Sequence, residues 1–204
     1  WEDSEAVFYR YALGQLLGLR DLIEILESQR PATAVPALDR AARWTGKWRA
    51  DLLAHRADFL RGLLDGSPVR IPPGSDALIA ARAFDLAQES HRDDPENLQA
   101  LKTLAALRAS RPELRDLRKE LDVRQRIVDL CPGYPSVLIP YFRLARTVAA
   151  ADAASAAPVL ARAEAVRIRF VGLLDICVKL DSDPGLRALR DRWSTSLDRV
   201  PDLQ

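Results

Sequence analysis

Methionine is absent from this 204-residue sequence, and it holds only two cysteines, two histidines and 6% aromatic residues. Cys131 and Cys177 stand 46 residues apart, too few and too scattered for a disulfide framework, so reduced thiols and a cytoplasmic setting are expected. Neither charge sign is in excess, with 30 basic against 29 acidic residues, and this argues against nucleic acid as a partner. No apolar run approaches the length that a membrane-spanning helix needs, and no signal-peptide pattern is found. An acidic run beginning at Trp1 with no initiating methionine leads to the expectation that the chain is part of a longer polypeptide. Valine and isoleucine together number only 20, which excludes an all-β fold. What is abundant is Leu, Ala and Arg, at 32, 31 and 26 residues, all strong helix formers. The expected class is therefore all-α.

Apolar spacing and punctuation predict about eight helices. Leu13, Leu16, Leu17, Ile23 and Leu26 recur at helical steps between Ser4 and Ser28, until Pro31 ends the run. A second helical region runs from Ala34 to Leu64, with a possible break at Thr45 and Gly46. Gly66 to Ser75 holds two glycines and three prolines, so it is the expected linker. Further helices are expected from Asp76 to His91, after Pro95, from Pro112 to Leu130, from Ser136 to Ala150, from Pro158 to Leu180 and from Pro184 to Leu197. This gives an N-terminal helical segment over 1–65, a linker over 66–75 and a helical array over 76–204.

Three stretches align on a proline: Phe84 to Pro95, Arg124 to Pro135, and Leu173 to Pro184. Eight residues before each proline stand Ala87, Ile127 and Ile176. Nine after stand Leu104, Leu144 and Trp193, and ten after stand the small residues Ala105, Ala145 and Ser194. Thirteen after, Val148 and Leu197 keep the pattern and Arg108 breaks it. The spacing is 40 and then 49 residues, so each unit reads as helix, loop, proline and helix in a degenerate repeat. An irregular bundle in which the alignment is coincidence is the other reading.

The segment Arg167 to Gly185 followed by Arg190 to Arg199, and more faintly Leu121 to Pro132, resembles tetratricopeptide repeats. The likeness is to the long variants found in bacterial multidomain signalling proteins. That resemblance implies antiparallel helix hairpins stacked into a right-handed superhelix, and a concave groove lined by the helix after each proline. At 100° per residue, offsets 4, 8, 11 and 15 from the proline point away from the packing line. They are Ile139, Arg143, Arg146 and Ala150; Ala188, Arg192, Thr195 and Arg199; and Gln99, Thr103, Ala106 and Ser110. Four arginines and no acid fall on these twelve positions. The resemblance thus implies an electropositive groove with Ile139, Arg143, Arg146, Arg192 and Arg199 facing a protein or peptide partner of acidic character. Lys102 could serve as one lysine of the family's carboxylate clamp, but Ala106 and Pro140 fall where polar residues would be needed, so that clamp is not expected. The bland alternative is that these arginines are solvated or paired with neighbouring acids.

Chemistry-bearing constellations are sparse. Gly14 and Gly18 lie inside a helix and form no phosphate loop. Asp51, His55 and Asp58 share a helical face, but a lone histidine between carboxylates reads more simply as an ion-pair participant than as a metal ligand. Cys131 has no paired histidine, and Cys177 sits in an apolar run that reads as core. Trp44 and Trp48 read as packing residues with arginine stems on their rings. Asp21, Glu24 and Glu27 read as a helix surface. No cofactor, metal or enzymatic activity is expected. The function expected is a protein-interaction scaffold within a larger signalling or effector protein. A regulatory domain whose Arg-rich face meets a ligand or nucleic acid is the alternative.

Overall fold

The computed structural model describes residues 4–27, 46–66, 71–181 and 183–195. These form eight α-helices, one 3-10 turn at Pro112–Leu114 and, among the described residues, no strand. The helices are α1 (Ser4–Glu27), α2 (Gly46–Leu64), α3 (Asp76–Asp93), α4 (Leu98–Ser110), α5 (Leu117–Leu130), α6 (Pro135–Ala151), α7 (Ala153–Leu180) and α8 (Pro184–Trp193). The expected all-α class and helix count hold.

Side-chain caps decide where several helices start. Asn97, Asp116, Asp152 and Asp183 each accept a backbone N–H of the first turn, the standard way to satisfy an orphan donor. Prolines were expected to mark three of these starts, and the caps displace them. After Pro95 the helix waits for Asn97 and opens at Leu98. Pro112 begins only the 3-10 turn, and α5 opens behind Asp116. Pro158 lies inside α7, which begins five residues earlier behind Asp152. Among the described α-helices, Pro135 and Pro184 occupy the first helical position. α2 opens at Gly46, whose φ of +62° suits glycine, and residues 34–45 of the expected helical region lie outside the described residues.

The chain packs as two compact units, Trp1–Arg115 and Asp116–Gln204. The expected linker at 66–75 lies inside the first of these units. The composition there does interrupt the helix, but α2 and α3 on its two sides pack against each other, so the segment connects neighbours within one unit. Residues 67–70 of it lie outside the described residues.

In the first unit α2 is the hub, packed on α1, α3 and α4. Its Ala50, Ala54 and Ala57 are wholly buried. Two glycines let α1 come close: a Cβ at Gly14 would overlap that of His55, and one at Gly18 would lie 2.6 Å from Cδ1 of Phe59. Glycine and aromatic partners recur one turn apart on each helix, so ridge meets groove along the contact. Around it sit buried charges. Asp21, only 3% exposed, accepts from Arg56 at 2.7 and 3.0 Å and from Arg82 at 3.2 Å. Arg10 pairs with Asp51 at 3.2 Å and lies 4.5 Å from the centre of the Trp48 ring. Asp51 also accepts from Asn97, at 2.8 Å. Asp21 was read as a surface acid; instead its two arginines tie α1 to α2 and α3.

In the second unit one cluster joins all four helices. Val128, Leu138, Tyr141, Phe142, Ala145, Ala163, Val166, Phe170, Leu174 and Trp193 make up its buried part. Trp193 of α8 is fully buried, with its ring 5.1 Å from that of Phe170 and 5.6 Å from that of Phe142. Arg167, also buried, donates to the Trp193 carbonyl and to Glu164.

Candidate functional site

The expected packing line is best formed in α6. Leu144, Ala145 and Val148 at its packing offsets are all buried, as is Tyr141 one turn earlier on the same line. Arg143 and Ala150 at the opposite offsets are exposed, and Arg146 is partly so. Ile139, expected to face the partner, is half-buried and packs against the core cluster instead. After Pro184 the same offsets leave Ala188 and Arg192 of α8 exposed, and Thr195 just past its end as well. Arg143, Arg146 and Arg192 each make contacts of their own within the chain. Arg199 lies outside the described residues, as does Trp44. Lys102 is exposed on α4 of the first unit, whereas the arginines belong to the second.

The packing offsets of α4 are buried like those of α6, but its outward offsets do not carry over. Thr103 is buried there although its register points it outward, and Arg108, which breaks the packing pattern by type, is buried on the packing line. Both follow from α4 lying against α2 and α3 at once, so that only a narrow strip of it meets solvent. The Arg108 guanidinium lies 5.0 Å from the centre of the Phe84 ring, which gives the cation an aromatic face to rest on. The third register fails at two further places. Ile176 is 54% exposed, and Cys177, read as core, is exposed as well.

A cavity of about 190 Å³ opens between α5, α6 and α7. Leu121, Pro158 and Val159 give it apolar walls, and Asp122, Gln125, Tyr141 and Arg162 add polar groups. The Tyr141 hydroxyl donates to the side-chain Oε1 of Gln125, and the Gln125 Nε2 donates to Asp129 at 3.0 Å. Burial pushes the Tyr141 phenol up to about 12, with Arg162 pulling the other way. A phenol held there is a hydrogen-bond donor at neutral pH and no base.

The other titratable cluster, around His55, is occupied by internal contacts. Burial lowers His55 below its ordinary 6.5, against the pull of Asp51 and Asp58. Its ring meets Tyr11 edge-on at 5.2 Å. Asp51 is engaged by Arg10 and Asn97, and Asp58 by Arg61 at 2.8 Å. Among the described residues no three histidine, cysteine or acidic side chains gather as metal ligands would. No described helix is long and apolar enough to cross a membrane.

Sequence reasoning missed the surface of α1. Its Leu13, Leu17 and Leu22 face the unit, but Phe8, Tyr9, Leu16, Leu19, Ile23 and Leu26 remain exposed on the other side. The signal lay in the run itself, which has apolar residues at more positions than one buried stripe can use. Comparison with family models, with curated proteins and with solved structures finds no match to this chain.

Proposed function

We infer that the protein is an interaction scaffold: a degenerate tetratricopeptide-like set of helix hairpins that binds an acidic peptide or partner domain. The observation that carries this reading is the division of α6 into a buried line and an outward line holding Arg143 and Arg146 with no acid among them. Arginine suits such a surface because its planar fork grips carboxylates through two parallel hydrogen bonds. Arg192, exposed on α8, adds to the same basic character. The likeness to signalling proteins further suggests a module that recruits one partner to another.

The test is affinity capture with the full chain as bait, comparing wild type with Arg143→Ala/Arg146→Ala. Support requires a protein retained by wild type, lost or much reduced with the double variant, and released by added salt. Identical retention by both baits would remove the arginine face from the function. An unfolded double variant would show these arginines to be structural.

A further inference from the structure

The outward face of α1 carries more than scattered apolar residues. Tyr9, Ala12, Leu16, Leu19, Ile23 and Leu26 follow one another at steps of three, four, three, four and three. The five large ones are all exposed, from 37% for Leu26 to 55% for Tyr9. The opposite side of the same helix is already satisfied against α2, through Leu13 and Leu17 with Leu52. A repeat averaging 3.5 residues keeps a stripe facing one partner helix crossing at about 20°, the geometry of a coiled-coil seam. The flank argues against a lipid surface: Arg20 is paired with Glu24 where a membrane-binding helix would present basic residues to anionic headgroups.

The seam also fits itself. If a second α1 runs antiparallel about a two-fold axis between positions 17 and 18, each layer joins complementary residues. Leu16 meets Leu19 of the other copy, Ala12 meets Ile23, and Tyr9 meets Leu26. The smallest residue then faces a β-branched one in every copy. A parallel pairing would set Ala12 against Ala12 and leave a void between the larger layers. With the neighbouring Phe8, 69% exposed, the stripe offers roughly 500–600 Å² of apolar surface per copy. The total, on the order of 1,000–1,200 Å², falls at the lower edge of specific interfaces, the size class of weak, reversible association. We propose that two copies of this chain associate through α1, antiparallel along the seam from Tyr9 to Leu26. Dimerisation would double every binding face of the scaffold and raise its avidity for a multivalent partner.

Sedimentation equilibrium of the full chain tests this across roughly 1–200 µM, a range that brackets such an interface. The expected result is a mass rising with concentration from 22.7 kDa toward twice that value. Leu16→Lys should hold the chain monomeric at all these concentrations while leaving its helical circular dichroism unchanged, because the position is exposed. Adding Leu19→Glu to Leu16→Lys should restore association, since the two-fold axis sets position 16 against position 19 of the other copy. Ile23→Lys is a second single variant should the first disturb the fold. Three results would overturn the proposal: a wild-type chain that stays monomeric, a dimer indifferent to both lysine variants, or a double variant that is not rescued. A monomer whose α1 instead captures a foreign helix also counts against it. Capture through Arg143 and Arg146 is measured separately, so either reading can fail without the other.

Discussion

Gly14→Ala is the substitution that best probes how α1 is held, because two opposed effects meet at one atom. In an isolated helix the change should stabilise by about 1 kcal/mol, since alanine loses less backbone entropy than glycine. Here the new methyl group would overlap His55 Cβ and stand 3.4 Å from His55 Cα. Carbon pairs settle at about 3.5–4.0 Å, and a Cβ fixed to its backbone cannot rotate aside. The two helices must therefore draw apart by about 1 Å, which loosens the Asp21–Arg56 and Arg10–Asp51 pairs along the same contact. Overpacking of this kind costs about 1–3 kcal/mol. Gly62→Ala in α2 is the matched control, because a Cβ there meets nothing within 4 Å. It should gain the full propensity term of about 1 kcal/mol. Urea unfolding of both variants, followed by circular dichroism, cancels propensity and leaves the steric term as their difference. If Gly14→Ala proves as stable as Gly62→Ala, the close approach of α1 and α2 is wrong.

Three further outcomes are expected. Asp21→Ala should destabilise the first unit by about 3–5 kcal/mol in urea unfolding, because it strands Arg56, which is only 13% exposed, without its carboxylate. Trp193→Ala should cost about 3–5 kcal/mol and release α8, whose sole buried side chain it is, seen as lost helical signal and earlier proteolysis after Leu180. Alkaline pH should weaken the second unit. The folded phenol of Tyr141 titrates at about 12 against an ordinary 10, so its stability contribution is complete below pH 10 and is lost as pH rises toward 12. That loss is on the order of 2–3 kcal/mol, and Tyr141→Phe should flatten it in pH-dependent unfolding.

The fold class and helix count were legible because Leu, Ala and Arg dominate and because proline and glycine punctuate the chain. Helix starts were less legible: a proline marks a permissible first turn, but Asn97, Asp116 and Asp152 supply the hydrogen bond that sets it. The unit boundary was hidden for a related reason. The Gly- and Pro-rich stretch signals where the backbone turns, whereas the compact units divide after Arg115, in a connection with no glycine. Of the candidate site, the outward line of α6 followed from 100° geometry alone. Ile139 did not, because a half-exposed aliphatic side chain folds down onto whatever core lies beside it. Thr103 failed because α4 has two packed faces, a fact about neighbours that one helix's periodicity does not carry. The buried charges Asp21, Arg10 and Arg167 escaped notice since their burial depends on partners as far as 61 residues away in the chain.

The scaffold reading is tested most directly by the affinity of a captured partner for wild type and for Arg143→Ala/Arg146→Ala, measured by titration at low and high salt. The account predicts weakening by roughly tenfold to a hundredfold at low salt, as expected for losing charged hydrogen bonds worth about 1.5–3 kcal/mol each. It also predicts that the difference shrinks as salt screens both proteins, with part of the effect in the association rate. A folded double variant that binds with wild-type affinity at low salt would contradict it.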